Sequence, residues 1–98
     1  MNSIVFYPEA KKELFNAIQY YEDCQTGLGH RFRRSIETAT QNILSSPLTY
    51  RILKPPFRRY LLSKFPYSIV YSIEPNYILI IAIAHGKRRP YYWSKRKL

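Results

Sequence analysis

Residues able to grip a polyanion crowd into the second half of this chain. Three cationic clusters lie there: Arg51, Lys54, Arg58 and Arg59; Lys87, Arg88 and Arg89; Lys95, Arg96 and Lys97. Tyr50, Tyr60, Tyr91, Tyr92 and Trp93 lie among them. A guanidinium clamps phosphate or carboxylate oxygens bidentately, so Arg58 or Arg59 could hold an anionic group and Arg88 or Arg89 could stabilise developing charge. His85 changes charge near neutral pH and could take or give a proton. Tyr91 or Tyr92 could donate a proton or stack on a base. Cys24 is the only cysteine, and it reads as a helix-end residue rather than a nucleophile or ligand. The three glycines form no phosphate loop and no metal-ligand spacing is visible, so neither a cofactor nor a metal is expected.

The charge is divided by half. Residues 1–50 hold five basic and five acidic side chains. Residues 51–98 hold eleven basic ones and a single acid, Glu74, which accounts for the whole formal net charge of +10. Charge placed for solubility alone would be interspersed. A one-sided basic and aromatic surface suits a polyanion or an acidic protein partner.

Ninety-eight residues, 46% of them hydrophobic, fit one domain over 1–98 with a small core. No apolar run approaches the roughly 20 residues of a bilayer span. The N-terminal Met1-Asn2-Ser3-Ile4-Val5-Phe6-Tyr7-Pro8 lacks the basic start and apolar core of a signal peptide. The lone cysteine excludes an internal disulfide. A cytoplasmic protein with no membrane association is the expectation.

The elements that must position these residues follow from periodicity. Asn2 to Tyr7 predicts a short strand, and Pro8 suits the first turn of a helix. Ala10, Leu14, Ala17, Ile18 and Tyr21 recur at helical spacing, with Lys11, Lys12, Glu13, Asn16 and Gln19 on the wet face. Thr26-Gly27-Leu28-Gly29 breaks that helix. A second runs from Leu28 to Ser45 on the stripe Phe32, Ile36, Ala39, Ile43 and Leu44, and Pro47 ends it. Then the period becomes extended. Arg51 to Leu53 could be a short strand, and Arg58 to Ser63 and Tyr67 to Ile73 read as strands. Pro75-Asn76 turns the chain, with Glu74 beside it as a turn residue. Tyr77 to Ala84 is uniformly apolar, as in a strand covered on both faces. The order β-α-α-β-β-β predicts an α+β fold, an antiparallel sheet against an N-terminal helical hairpin. Arg58 and Arg59 alternate across a strand, so one faces a site and the other faces solvent or a helix acid. Tyr91, Tyr92 and Trp93 could cover the sheet, with Trp93 burying its ring. Lys95-Arg96-Lys97 reads as a disordered end that attracts polyanions.

Several pieces in this order resemble a known family. They are Pro8-Glu9-Ala10, Ala17-Ile18-Gln19-Tyr20-Tyr21-Glu22, Gly27-Leu28-Gly29-His30-Arg31-Phe32, Pro47-Leu48-Thr49-Tyr50, Arg58-Arg59-Tyr60-Leu61-Leu62, Phe65-Pro66-Tyr67-Ser68-Ile69-Val70-Tyr71 and Ile83-Ala84-His85-Gly86-Lys87-Arg88-Arg89-Pro90-Tyr91-Tyr92-Trp93. Together they resemble the RelE/ParE superfamily of toxins from bacterial type II toxin–antitoxin operons, often labelled plasmid stabilisation proteins. Tyr20-Tyr21-Glu22, Phe65-Pro66-Tyr67 and His85 followed by Arg88 are closer to the ParE-like branch.

The resemblance implies two activities. ParE-like members block DNA gyrase on its DNA and have no established catalytic site. RelE-like members cut mRNA in the ribosomal A site by 2′-OH attack, which needs a base, an acid and cations on the phosphate. The residues that would serve as such an RNase are Arg58, Arg59, His85, Arg89 and Tyr91. Lys54 stands where RelE-like toxins keep two lysines, and a sheet glutamate used by some relatives is not evident. For target binding without chemistry the candidates are Lys54, Arg58, Arg59, Lys87, Arg88, Arg89, Tyr92, Lys95 and Arg96. In both cases, and in a non-toxic relative, the implied partner is a cognate antitoxin offering an acidic, amphipathic segment.

Overall fold

The computed structural model describes residues 3–98; Met1 and Asn2, with the start of the expected first strand, lie outside the described residues. Seven elements follow in order: β1 (Ile4–Phe6), α1 (Pro8–Cys24), α2 (Leu28–Ser45), β2 (Arg51–Lys54), β3 (Phe57–Leu61), β4 (Tyr67–Ile73) and β5 (Ile78–His85). Pro8 opens α1, where a missing N–H costs nothing, and the Lys11 amide donates to the Tyr7 carbonyl at 3.1 Å. Glu9 in that first turn suits the positive end of the helix dipole. Cys24 is the last residue of α1 and is exposed.

The turn between the helices is built by Glu22. Its carboxylate accepts from the amides of Gly27 (2.9 Å) and Gly29 (3.0 Å), capping the start of α2 from the end of α1. Gly27 has φ +88°. Gly29 is needed for a different reason: a Cβ there would lie 2.5 Å from the Ile18 carbonyl oxygen, so glycine sets how closely the helices approach.

The sheet order is β1-β5-β4-β3-β2. β2 to β5 pair antiparallel, as expected, and Arg51–Lys54 forms a true fifth strand at one edge. The difference from a wholly antiparallel sheet is β1, which runs parallel to β5 with Ile4 opposite Ile78. Parallel neighbours need a long crossover, and everything between β1 and β5 supplies it. β5 is internal, and Ile78 to Ala84 are all buried. One cluster, with Phe32, Ile36, Ile43, Ile69, Tyr71, Ile78, Ile80 and Ile83, fills the space under the helices. A second, with Phe57, Val70, Leu79, Ile81, Ala82 and Trp93, lies on the other face.

Strand β5 carries an irregularity. Val70 opposes Ala82 and Tyr71 opposes Ile80, so Ile81 is an extra residue, a β-bulge. The tail after β5 does not trail into solvent. It folds over the second face in successive turns, and Trp93, 4% exposed, meets Phe57 edge-on at 5.1 Å. The expected disordered end is therefore corrected at Arg96: the rings of Tyr92 and Trp93 anchor the tail, and Arg96 is ion-paired. Lys95 and Lys97 remain exposed. No helix of the described residues is long and apolar enough to cross a membrane.

Candidate functional site

The site begins at the edge of β5 where β1 stops. The last β1-side bond is from the Tyr7 amide to the Ile80 carbonyl, at 2.9 Å. Beyond it Arg96 donates to the Ile81 carbonyl (3.0 Å) and Glu13 accepts from the Ile83 amide (3.1 Å). The two side chains stand in for the missing strand, and they bind each other through two points, at 3.0 and 2.9 Å. Tyr92 donates its hydroxyl to the same carboxylate at 2.8 Å. Glu13, expected on the wet face, is only 14% exposed. It links the helix layer to the tail around the sheet edge.

This network determines what Tyr92 and Arg96 can do. Burial, then the bond to Glu13, pushes the Tyr92 phenol far above its ordinary pKa, against the nearby charges of Arg88 and Arg96. Its ring has the Arg88 guanidinium at 3.8 Å and that of Arg96 at 5.1 Å. Tyr92 and Arg96, both expected to touch a target, are thus engaged inside the molecule. The physical reason is Glu13, whose carboxylate needs donors once it is taken from water.

The two arginines of β3 separate by register. Arg58 opposes Tyr71 and Arg59 opposes Val70, so they lie on opposite faces. Arg58 turns to the helix face and donates to the carbonyls of Leu48 (3.1 Å) and Tyr50 (2.8 Å). It ties down the connection from α2 to β2 and meets no helix acid. Beside it the Tyr71 hydroxyl donates to the Pro47 carbonyl at 2.7 Å, and burial raises that phenol to about 12 although Arg58 acts to lower it. Arg59 faces the other way, toward the turn after β5.

Arg59, His85, Arg88, Arg89 and Tyr91 line one open cavity of about 210 Å³. Lys87, Arg88 and Arg89 are exposed on the turn that follows β5. Arg88 is held in part by Glu13, at 3.9 Å. The His85 Nδ1 accepts from the Lys87 amide at 3.0 Å, which leaves the ring proton on Nε2. In that tautomer neither nitrogen is a free base. The ring meets Tyr67 edge-on at 4.9 Å. Tyr91 points outward, with the Lys54 ammonium 6.0 Å from its centroid. The structure therefore brings together Lys54, Arg59, His85, Arg88, Arg89 and Tyr91, with Lys87 beside them. Tyr92 lines the same cavity with its hydroxyl tied to Glu13, and Arg58 and Arg96 are set apart as internal struts.

Sequence reasoning missed Glu13 and Glu22. A signal for Glu13 existed: it falls three residues after Ala10 and four before Ala17, both buried, and so borders the apolar stripe. For Glu22 the signal was a glutamate placed just before Gly27 and Gly29, whose amides need acceptors.

A family model described as the ParE toxin of type II toxin–antitoxin system, parDE, matches residues 4–90. The chain belongs to the ParE toxin family. The match takes in both helices and all five strands and stops before Tyr91. The ParE-family fold is seen again in a solved structure described as the chromosomal ParDE toxin–antitoxin system from P. aeruginosa. A chain there superposes with a TM-score of 0.63 at 14% identity, covering 87% of this chain and 96% of that one. No curated relative matches the sequence. ParE-family membership thus places both helices and the whole sheet within a type II toxin, as the motif order implied.

Proposed function

We propose that this toxin acts by binding DNA gyrase on its DNA, and that a cognate antitoxin with an acidic, amphipathic segment neutralises it. The observation that carries this reading is the state of the groups a nuclease would need. His85 has its Nδ1 on the Lys87 amide, the Tyr92 hydroxyl is bonded to Glu13, and Arg58 is bonded to two backbone carbonyls. Proton transfer through His85 or Tyr92 would require breaking these bonds first. The exposed cations Lys54, Lys87, Arg89 and Lys95 and the half-exposed Arg59 need no rearrangement to bind an anionic surface.

A second reading is supported by the cavity. Arg59, His85, Arg89 and Tyr91 converge there, four of the five residues expected to serve an mRNA endonuclease, with Arg58 turned to the other face. It requires His85 to release the Lys87 amide on substrate binding.

Inducible expression in a bacterial host separates the two. Continued translation with filamentation and an induced DNA-damage response is expected. Rapid loss of translation, with mRNA cut in the ribosomal A site and arrest abolished by His85→Ala, would replace the gyrase reading. Growth unchanged by expression would leave a non-toxic, antitoxin-binding relative.

A further inference from the structure

Tyr91 is the one non-glycine residue with positive φ among the described residues, at +61°. That region is costly for a residue with a bulky side chain, by roughly a tenfold factor in the folding equilibrium. Glycine would sit there freely. Burial of the ring does not offset the cost. Trp93, two residues on, is 4% exposed, whereas Tyr91 is 46% exposed. The turn itself is held by backbone bonds, from the Tyr92 amide to the Arg89 carbonyl and from the Ser94 amide to the Tyr91 carbonyl. A strained backbone thus presents an aromatic ring to solvent.

What surrounds the ring defines its ligand. Trp93 supports it edge-on, with centroids 5.6 Å apart. Lys54 stands 6.0 Å from the centroid, and Arg59 and Arg89 line the same cavity. No aspartate or glutamate lines that cavity. At about 210 Å³ it falls below the few hundred cubic ångströms typical of drug-sized ligands and suits one planar group. A ring flanked by cations with no acid is the arrangement that stacks a base and neutralises the phosphates on either side. Duplex DNA keeps its base faces stacked, so the arrangement selects a strand that is open.

We infer that Tyr91 is the base-stacking residue of a single-stranded DNA site on this face, with Lys54, Arg59 and Arg89 on the flanking phosphates. The choice of DNA rests on the gyrase reading above: the toxin would touch the DNA of the complex, not only its protein.

The test is fluorescence anisotropy of a labelled oligothymidylate with the full chain, beside the same length of RNA, a duplex, and an acidic peptide. Single-stranded DNA should bind most tightly. Tyr91→Ala should weaken it roughly tenfold or more, and Tyr91→Phe should restore binding, because a ring face is all that stacking needs. Tyr91→Gly should lose binding while its Tm stays level or rises, a combination a merely structural tyrosine would not give. Arg89→Ala, which leaves the turn backbone unchanged, should lower the salt slope by about 0.7. Preference for RNA, duplex or the acidic peptide would overturn the inference, as would equal binding by wild type and Tyr91→Ala, or a Tm loss in Tyr91→Gly. Absent DNA binding by a protein that still triggers the DNA-damage response would overturn this inference and leave the gyrase reading standing.

Discussion

Glu13 in α1 and Arg96 near the end of the chain meet through both carboxylate oxygens and both terminal guanidinium nitrogens, at 3.0 and 2.9 Å, across 83 residues of sequence. Each side chain is about one-seventh exposed, at 14% and 15%. Removing one partner leaves the other charge in a poorly solvated place and costs about 3 kcal/mol. Glu13→Ala is therefore expected to lower stability by about that much in urea unfolding. Trp93 is the sole tryptophan, so its emission reports the tail directly. A red shift in Glu13→Ala under native conditions is expected as the tail loosens. The double change Glu13→Ala/Arg96→Ala should lose less than the sum of the single losses. Strict additivity would mean that the pair is not coupled.

The glycines at the helix turn carry distinct predictions. At Gly27 nothing lies within 4 Å of where a Cβ would sit, so alanine there meets only the cost of φ +88°, about 1 kcal/mol. At Gly29 the obstacle is the Ile18 carbonyl and the Glu22 side chain. Alanine there must push α1 and α2 apart and disturb the Glu22 cap, and the expected loss is about 2–3 kcal/mol. Thermal unfolding should rank Gly29→Ala below Gly27→Ala. The reverse order would contradict the close approach of the helices.

These residues also mark how far the sequence alone could be read. α2 was legible to its ends, because Phe32, Ile36, Ala39 and Ile43 repeat cleanly and Pro47 stops the pattern. β4 was equally plain from Tyr67, Ile69, Tyr71 and Ile73. Pairing direction was not legible at β1, because three apolar residues carry no directional information. The site was legible by composition and not by side. Arg58 and Arg59 are chemically alike, and only the register against Tyr71 and Val70 sends one inward. The role of Glu13 was hidden because its partners, Tyr92 and Arg96, come from a tail whose charges resemble a solvated end.

Alkaline pH should unfold this protein early. Burial raises the phenols of Tyr21, Tyr67, Tyr71 and Tyr92, with Tyr71 reaching about 12. In the unfolded chain a phenol ionises near about 10. Between those values the folded state holds protons that the unfolded state has released, so stability falls as pH rises. The contribution is complete below pH of about 10 and is lost progressively from there through 12. Phenolate absorbance should rise in a late phase that coincides with loss of the helical circular-dichroism signal. Tyr71→Phe should make the pH dependence shallower. A pH-independent stability across this window would show that these phenols are not protected by the fold.

The two arginines of β3 should respond to substitution in opposite ways. Arg58 supplies charged donors to the carbonyls of Leu48 and Tyr50, and alanine leaves both without them. Bonds to charged groups contribute roughly 1.5–3 kcal/mol, so Arg58→Ala should be destabilised by an amount in that range. Lysine has no fork to serve two carbonyls at once, and Arg58→Lys should recover only part of the loss. Arg59 lines the open cavity and forms no comparable internal bonds among the described residues. Arg59→Ala should therefore stay within about 0.5 kcal/mol of wild type. Its effect should fall on function: growth arrest should weaken at matched protein level while the Tm is unchanged. Arg58→Ala should show the opposite pairing, a lowered Tm with arrest recovered at low temperature where the fold is populated. If Arg59→Ala lost as much stability as Arg58→Ala, or arrested growth as fully as wild type, the cationic face would have to be assigned without it.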